Sequence, residues 1–250
     1  MNLLKFSLPL ILLFLFACEP CEELTLEVCG GSDGPPKVDL IVLIDASGSM
    51  SAAANVISNT AVAAIDSSLA NCNTDLRVSF LGVEGTFNGT RFDTSHRDYI
   101  ELAQGGVVPL ASDVAPQGFL PELGAHAIED LSRYAPWRNN ACRAIFYISD
   151  EELDGIQPLG DFVNEDATVA QAIASAQANE VTVFTNFIND QNRGQSILDN
   201  YDDLTASTGG INSVVETDAE VTTQLYLSLF PQVICNACKA CELRQVMNDN

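Results

Sequence analysis

The chain has 250 residues, of which 47% are hydrophobic, so it can bury the core of one medium-sized domain and is not a disordered chain. Its 34 acidic and 11 basic residues give a formal net charge of -23. This charge argues against nucleic-acid binding and against adhesion to an anionic membrane face, because both need basic surface. It fits an acidic surface that gathers divalent cations, or an adaptation to salty surroundings.

Residues 1–17 have the pattern of a secretion signal, with Lys5 before an apolar run that is too short to cross a bilayer. The run ends in Leu-Phe-Ala-Cys and resembles the bacterial lipoprotein box, which implies that Cys18 is acylated and becomes the mature N-terminus. Phe16 is bulkier than that box usually carries, so cleavage by ordinary signal peptidase is the alternative. Glu19 after the cysteine favours the outer membrane, so the predicted location is the bacterial cell envelope, with a lipid anchor.

Residues 18–36 form a linker, because Gly and Pro interrupt regular structure there. Strand-like and helix-like patterns then alternate over residues 37–232, which predicts an α/β fold with a doubly wound, mostly parallel sheet flanked by helices. The predicted strands are 38–45, 75–83, a short edge strand in a hairpin at 86–93, 143–149, 181–188 and 211–215. The predicted helices are 51–69, 97–103, 121–134, 167–178, 196–208 and 218–230. A Cys-rich tail, 233–250, closes the chain.

The most informative motif is Asp-Ala-Ser-Gly-Ser, which directly follows the first predicted strand. Asp45, Ser47 and Ser49 alternate with small residues, so a tight turn can aim one carboxylate and two hydroxyl oxygens at one point. Hard divalent cations prefer oxygen ligands, and ligands of open α/β sheets bind beyond the carboxyl ends of the strands. The alternative is a strand-to-helix turn with a Ser cap.

The motif resembles the metal-ion-dependent adhesion site (MIDAS) of von Willebrand factor A (vWA) domains, Asp-x-Ser-x-Ser, and the order of elements resembles that domain over 37–232. The resemblance implies a Rossmann-like sheet with the first strand in the middle. It also implies an acidic ligand after the predicted strand at 143–149, where Asp150 stands, with a turn or cap as its alternative role. The family's Thr ligand is missing. Glu122 is the best oxygen donor in that loop, and its alternative role is to favour the helix dipole.

Because vWA domains are mostly interaction modules, the resemblance implies an envelope lipoprotein that is not an enzyme and binds a protein partner through a divalent cation. Mg²⁺ is the first choice, and Mn²⁺ or Ca²⁺ are the alternatives. The implied ligands are Asp45, Ser47, Ser49 and Asp150, with Glu122 as an additional candidate. If three carboxylates neutralise the ion, it only stabilises the fold, and acidic loops such as 151–166 bind the partner.

A metal-assisted hydrolase is the third hypothesis, but the sequence offers no identifiable general base. The chain also has no phosphate-binding loop, so a nucleotide is not expected.

Eight cysteines in an exported chain predict disulfide bonds, with metal or iron–sulfur binding by the trio in Cys235–Cys241 as the alternative. On the implied fold, Cys72 and Cys142 precede the strands that flank the first strand. This implies a Cys72–Cys142 disulfide at the end of the sheet opposite the metal. Cys21 and Cys29 would then pair with two cysteines of the trio, in an order that the sequence leaves open.

Overall fold

Five parallel strands form the central sheet of this computed structural model, which describes residues 34–114, 122–153, 162–189 and 194–248. The strands are β1 Lys37–Ile44, β2 Asp75–Gly82, β3 Ala141–Ser149, β4 Val181–Ile188 and β5 Asn212–Val215, in the order β2-β1-β3-β4-β5. The helices are α1 Ser51–Asn71, α2 His96–Gln104, α3 Gly124–Tyr134, α4 Phe162–Ala178, α5 Gln195–Thr208 and α6 Thr223–Asn248. The predicted α/β fold with a doubly wound parallel sheet is therefore confirmed.

The sheet separates two apolar cores, because successive side chains of a strand point to opposite faces. In β1, Leu40 and Val42 pack with α1 and α6, whereas Ile41 and Leu43 pack with α2 to α5 on the other face. Both faces are covered, so β1 reads as an almost unbroken apolar run from Val38 onward.

The predicted hairpin and edge strand at 86–93 are wrong. The chain makes a turn there, in which the Phe87 N–H donates to the Phe92 carbonyl oxygen at 2.7 Å, and Gly89 has a φ of 81°. Phe92 is fully buried and its ring meets the ring of Phe80 edge-on, with centroids 5.5 Å apart. The aromatic side chains therefore anchor this loop to the core, and the predicted fourth strand is β3 of the structure.

The predicted end of the last helix at Phe230, and the separate Cys-rich tail, are also wrong. α6 runs on as one helix to Asn248 with Pro231 inside it. Ile234, Ala237 and Cys238 are buried, and they continue the apolar stripe that packs on α1 and the sheet. The burial of this stripe outweighs the backbone hydrogen bond that Pro231 cannot donate.

The predicted Cys72–Cys142 disulfide is wrong as well, because both cysteines bond to α6. Cys72 pairs with Cys235 and Cys142 pairs with Cys241, with Cα atoms 5.7 Å and 5.4 Å apart. The prediction placed both cysteines at one end of the sheet but did not foresee that α6 lies between them. The N-terminal cysteines, and with them the predicted signal and most of the linker, lie outside the described residues.

Cys238, the third cysteine of the trio, is also disulfide-bonded. Since Cys235 and Cys241 are taken by Cys72 and Cys142, the expectation that two cysteines of the trio pair with the N-terminal cysteines is wrong.

Within the ranges that the structure describes, no helix combines the length and the apolar character that a membrane crossing needs.

Candidate metal centre

The candidate metal centre lies where β1 and β3 end side by side. The two strands are parallel neighbours with Ile44 opposite Ile148, so the residues that follow them leave the sheet at the same edge. The Asp45 N–H donates to the Ile148 carbonyl oxygen at 3.0 Å and extends the ladder by one hydrogen bond. Asp45 and Asp150 therefore come together although 105 positions separate them in the sequence.

Asp45 is completely buried, and hydrogen bonds hold both oxygens of its carboxylate. Its Oδ1 accepts from the Ser47 N–H at 2.7 Å, and its Oδ2 accepts from the Ser149 hydroxyl at 2.8 Å. Burial raises the pKa of Asp45 from 3.8 to about 6, and the nearby charge of Asp150 acts in the same direction, while the bonds from Ser47 and Ser149 oppose the rise. The hydrogen bonds therefore orient the ionised carboxylate, but they do not fully offset the cost of burying its charge.

The two serines connect Asp45 to Asp150. The hydroxyl oxygens of Ser47 and Ser49 are 2.9 Å apart, and the Ser49 hydroxyl donates to Asp150 Oδ1 at 3.2 Å. Ser49 is exposed and Ser47 is half-buried, whereas Asp150 is buried. The predicted residues Asp45, Ser47, Ser49 and Asp150 therefore form a continuous set of oxygen atoms that leads from the interior to the surface.

The local backbone explains how the motif reaches this geometry. Ser47 is extended, with φ -63° and ψ 160°, and the chain then turns through the short 3₁₀ segment Gly48–Met50 into α1. The Met50 side chain is buried and fixes the end of this turn in the core. The small residues of the motif leave the serine hydroxyls free to approach each other.

The loop after β2 packs against the back of the motif, a contact that no pattern in the sequence predicts. A Cβ on Gly85 would lie 2.9 Å from the Ala46 Cβ, and a Cβ on Gly82 would overlap the Gly85 carbonyl oxygen. Two glycines three positions apart after a strand are too common a pattern to be recognised from sequence. Ser149 was also missed as a partner of Asp45, although its place beside Asp150 at the end of a neighbouring parallel strand was a usable signal.

Glu122 is the remaining predicted ligand. It is partly buried just before α3. Among the residues that the structure describes, no group of three or more His, Cys, Asp and Glu side chains is placed so that it could hold a metal ion. The arrangement therefore gives no support to Glu122 as a third carboxylate beside Asp45 and Asp150.

The donor set fits a hard divalent cation. It consists of two carboxylates and two hydroxyls, which are ligands of the kind that Mg²⁺, Mn²⁺ and Ca²⁺ accept. Asp45 takes part in none of the ion pairs between described residues, and its closest polar neighbours are hydroxyls, a backbone N–H and a second carboxylate. A buried carboxylate with such neighbours is stabilised in its charged form by a cation.

Comparison with known proteins gives likenesses of fold. No protein-family model and no curated protein matches the sequence. One similar solved structure is proximal thread matrix protein 1 from the mussel byssus, with a zinc-occupied MIDAS motif: 14% identity, TM-score 0.45, 84% of this chain and 47% of that chain covered. This chain thus spans about half the length of that protein.

A second is the conserved hypothetical protein BatB from Bacteroides thetaiotaomicron, with 16% identity, a TM-score of 0.44, and coverage of 81% of this chain and 99% of that chain. A third is an aerotolerance-related membrane protein from Bacteroides fragilis, with 18% identity and a TM-score of 0.41. The match covers 79% of this chain and 98% of that chain. β1 lies inside the sheet, between β2 and β3, and the motif occupies the turn from β1 into α1, as the sequence resemblance implied.

Proposed function

We propose that this chain is a cell-envelope protein whose vWA-like domain binds a protein partner through a divalent cation held by Asp45, Ser47, Ser49 and Asp150. The observation that carries the proposal is the continuous set of oxygen atoms from buried Asp45 to exposed Ser49 and on to Asp150. A purely structural turn would not need to bury a carboxylate whose pKa is raised and whose neighbour is a second carboxylate.

Each residue has a distinct part in this function. Asp45, oriented by the Ser47 N–H and the Ser149 hydroxyl, provides the fixed negative charge. Ser47 and Ser49 provide neutral oxygens, and Asp150 provides the second charge. When bound, the cation supplies an electrophilic position that can accept an oxygen atom from outside the chain.

The number of carboxylates bears on the kind of partner. Two carboxylates neutralise the charge of a divalent ion, whereas a third would give the site a net negative charge. Because Glu122 is not grouped with Asp45 and Asp150, the cation retains attraction for another anionic oxygen. The partner is therefore a protein that presents an acidic side chain, and the first choice of ion is Mg²⁺, with Mn²⁺ or Ca²⁺ as alternatives.

The location in the envelope is supported by the secretion-signal pattern at 1–17 and by the two disulfides that join α6 to the rest of the domain, since such bonds persist in oxidising compartments. In this proposal Cys18 carries the lipid anchor, and Glu19 favours the outer membrane.

The first test is thermal unfolding of the full-length chain in chelator and then in Mg²⁺, Mn²⁺ or Ca²⁺. A bound ion stabilises the folded state by about 2.7 kcal/mol at a concentration one hundred times its Kd. We expect this gain in the native chain, a smaller gain in Ser49→Ala and none in Asp45→Ala. Asp66→Asn, which removes an exposed charge on α1, is the matched control and should keep the full gain. An equal gain in Asp45→Ala would place the ion elsewhere.

The second test asks whether the ion serves binding or only stability. The native chain and Asp45→Ala are used to capture proteins from an envelope extract in Mg²⁺ and in chelator. Capture that needs both the ion and Asp45 supports the proposal. If Mg²⁺ raises the melting temperature but capture is the same in chelator, the alternative holds, in which the ion is structural and acidic loops bind the partner.

A further inference from the structure

The loop between β2 and α2 lies against the metal motif at two points. The Val83 N–H donates at 2.9 Å to the carbonyl oxygen of Ile44, the residue before Asp45. Further along the loop, Gly85 packs so closely on Ala46 that a Cβ on Gly85 would lie 2.9 Å from the Ala46 Cβ. Because Ala46 directly follows Asp45, the loop supports the motif between its first two proposed ligands.

Glu84 joins these two contacts and has a left-handed backbone conformation. Its φ is 49°, in a region that residues with a Cβ rarely adopt, because the Cβ crowds the carbonyl oxygen that follows it. A conformation of this kind persists only where the surrounding structure holds it. The contacts of Glu84 therefore decide whether the loop keeps its place behind the motif.

The helix α2 holds Glu84 by its side chain and by its backbone. Arg97 binds the carboxylate, with Nε 2.9 Å from Oε2 and Nη2 2.7 Å from Oε1. The Glu84 N–H donates to Nδ1 of His96 at 3.1 Å. The first contact fixes the side chain of Glu84 and the second fixes the peptide plane before it, so the two together set the φ angle between them.

The ring of His96 is itself held in one orientation. His96 is fully buried at the start of α2, directly after the N-cap residue Ser95. Because Nδ1 accepts an N–H, the proton of the neutral ring belongs on Nε2, which faces Glu84 Oε1 at 3.7 Å and Asp130 Oδ2 at 3.9 Å. Asp130 Oδ2 in turn accepts from the N–H and the hydroxyl of Ser112. A fixed acceptor therefore stands opposite the Glu84 N–H.

We propose that His96 is a positioning residue of the metal centre. Its Nδ1 keeps Glu84 in the left-handed conformation, which holds Gly85 against Ala46, so the turn after Asp45 keeps the shape that the ion needs. His96 acts through the loop and gives no atom to the ion. This inference rests on the proposed function, since it requires that the motif holds a divalent cation.

The test compares two polar replacements that place an acceptor at different points. In His96→Asn the amide oxygen takes the position of Nδ1, whereas in His96→Gln it lies one bond further out, near the position of Nε2. The probe is Mn²⁺, and electron paramagnetic resonance of the free ion gives its Kd for the full-length chain. We expect His96→Asn to bind like the native chain and His96→Gln to bind about tenfold more weakly, the order expected when one left-handed residue loses its support.

The order of the two variants separates positioning from packing. Asn is smaller than Gln and leaves the larger void, so a role in packing alone predicts that His96→Asn is the more damaging change. The melting temperature in chelator shows that each variant is folded. Equal Kd values for His96→Gln and the native chain, or weaker binding by His96→Asn than by His96→Gln, would overturn the inference.

Thr208→Val is the matched control. The Thr208 hydroxyl also accepts from a buried backbone N–H, that of Val183 at 3.1 Å, but near the start of β4 and so away from the end of the sheet that carries the metal centre. This variant should lower the melting temperature and leave the Kd for Mn²⁺ unchanged. A loss of affinity as large as that of His96→Gln would show that general destabilisation is the cause and would overturn the inference.

Glu84→Gly tests the route from His96 to the motif, because glycine adopts a left-handed conformation without support. Adding His96→Gln to Glu84→Gly should therefore change the Kd little, and a further tenfold loss would overturn the inference. This pair also replaces the single variant if His96→Gln alone does not fold. If the native chain binds no Mn²⁺, the proposed function fails and this inference fails with it, whereas the other adverse results overturn the inference alone.

Discussion

In the proposed metal centre, Asp45 couples metal binding to proton binding. It is buried, its two oxygens are held by Ser47 and Ser149, and it lies near Asp150. In the absence of a cation, burial favours the neutral acid. A cation at the same oxygens favours the carboxylate, so protons and metal ions compete for this residue.

This competition gives a pH prediction. The pKa of Asp45 is about 6 in the folded chain and near the ordinary 3.8 in the unfolded chain, so the folded chain binds the proton more tightly between these values. In chelator, the free energy of unfolding should therefore fall as pH rises from about 4 to about 6, by up to about 3 kcal/mol. Urea titration across this range measures the slope, and Asp45→Asn should lose this part of it. Equal slopes in both proteins would contradict the prediction.

The same side chain sets the pH dependence of metal affinity. Below about pH 6 the ion must displace a proton from Asp45, so affinity for Mg²⁺ should fall by about tenfold per pH unit. Calorimetric titration at pH 5 and pH 7 checks this, and an affinity independent of pH would show that the ion does not contact Asp45.

At this scale the sequence predicted which four oxygen-bearing side chains lie together, because they belong to a short motif and to the end of a neighbouring strand. It could not predict the disulfide partners of Cys72 and Cys142. Their pairing depends on where α6 lies, and α6 is positioned by packing contacts between residues far apart in the chain.

Among the elements, the β2–α2 connection supports the metal motif from behind. Gly85→Ala would push its new methyl against the Ala46 Cβ, at 2.9 Å, and so displace the turn that carries the ligands. We expect a loss of about 1–3 kcal/mol in stability and a smaller stabilisation by Mg²⁺, both measured by thermal unfolding. Gly194→Ala is the matched control, because φ there is -67° and the nearest atom is 3.8 Å from the new Cβ. If both variants behave alike, the close contact does not position the motif.

The α6 disulfides give a second prediction for the elements. Cys72–Cys235 spans 163 residues of sequence and Cys142–Cys241 spans 99. Replacing either pair by Ala should lower the free energy of unfolding by about 2–5 kcal/mol, because the unfolded chain gains freedom. Chemical denaturation of each double variant measures the loss, and the native chain in reductant should lose at least as much. Unchanged stability in both variants would show that packing alone holds α6 in place.

Most helices and strands could be predicted because their apolar periodicity is local. The two errors have a common physical cause. At 86–93 and beyond Phe230 the local signals, Asn88-Gly89 and Pro231, were outweighed by the burial of Phe92 and of the apolar stripe of α6. Tertiary packing decided both cases, and a single sequence does not display it.

For the whole molecule, the formal net charge of -23 is the main source of long-range electrostatic repulsion. Self-repulsion of this size destabilises the compact state and is screened by salt, with a Debye length that falls from about 30 Å at 0.01 M to about 10 Å at 0.1 M. In chelator, the melting temperature should therefore rise by several degrees between these concentrations of NaCl. Choline chloride should act equally if screening is the cause, and a rise with NaCl alone would point to specific Na⁺ binding instead.

The Cys72–Cys235 disulfide also determines how the molecule would carry mechanical load. A tension applied to the chain at Cys72 and at Cys235 crosses the sulfur bridge, so the part of the chain between the two cysteines, which are 163 positions apart, bears none of it. At about 3.5 Å per residue, about 570 Å of chain cannot be drawn out while the bridge is intact. β2 to β5 and Asp150 lie inside this protected loop, and Asp45 precedes it in the sequence. The bridge therefore limits how far the chain can lengthen.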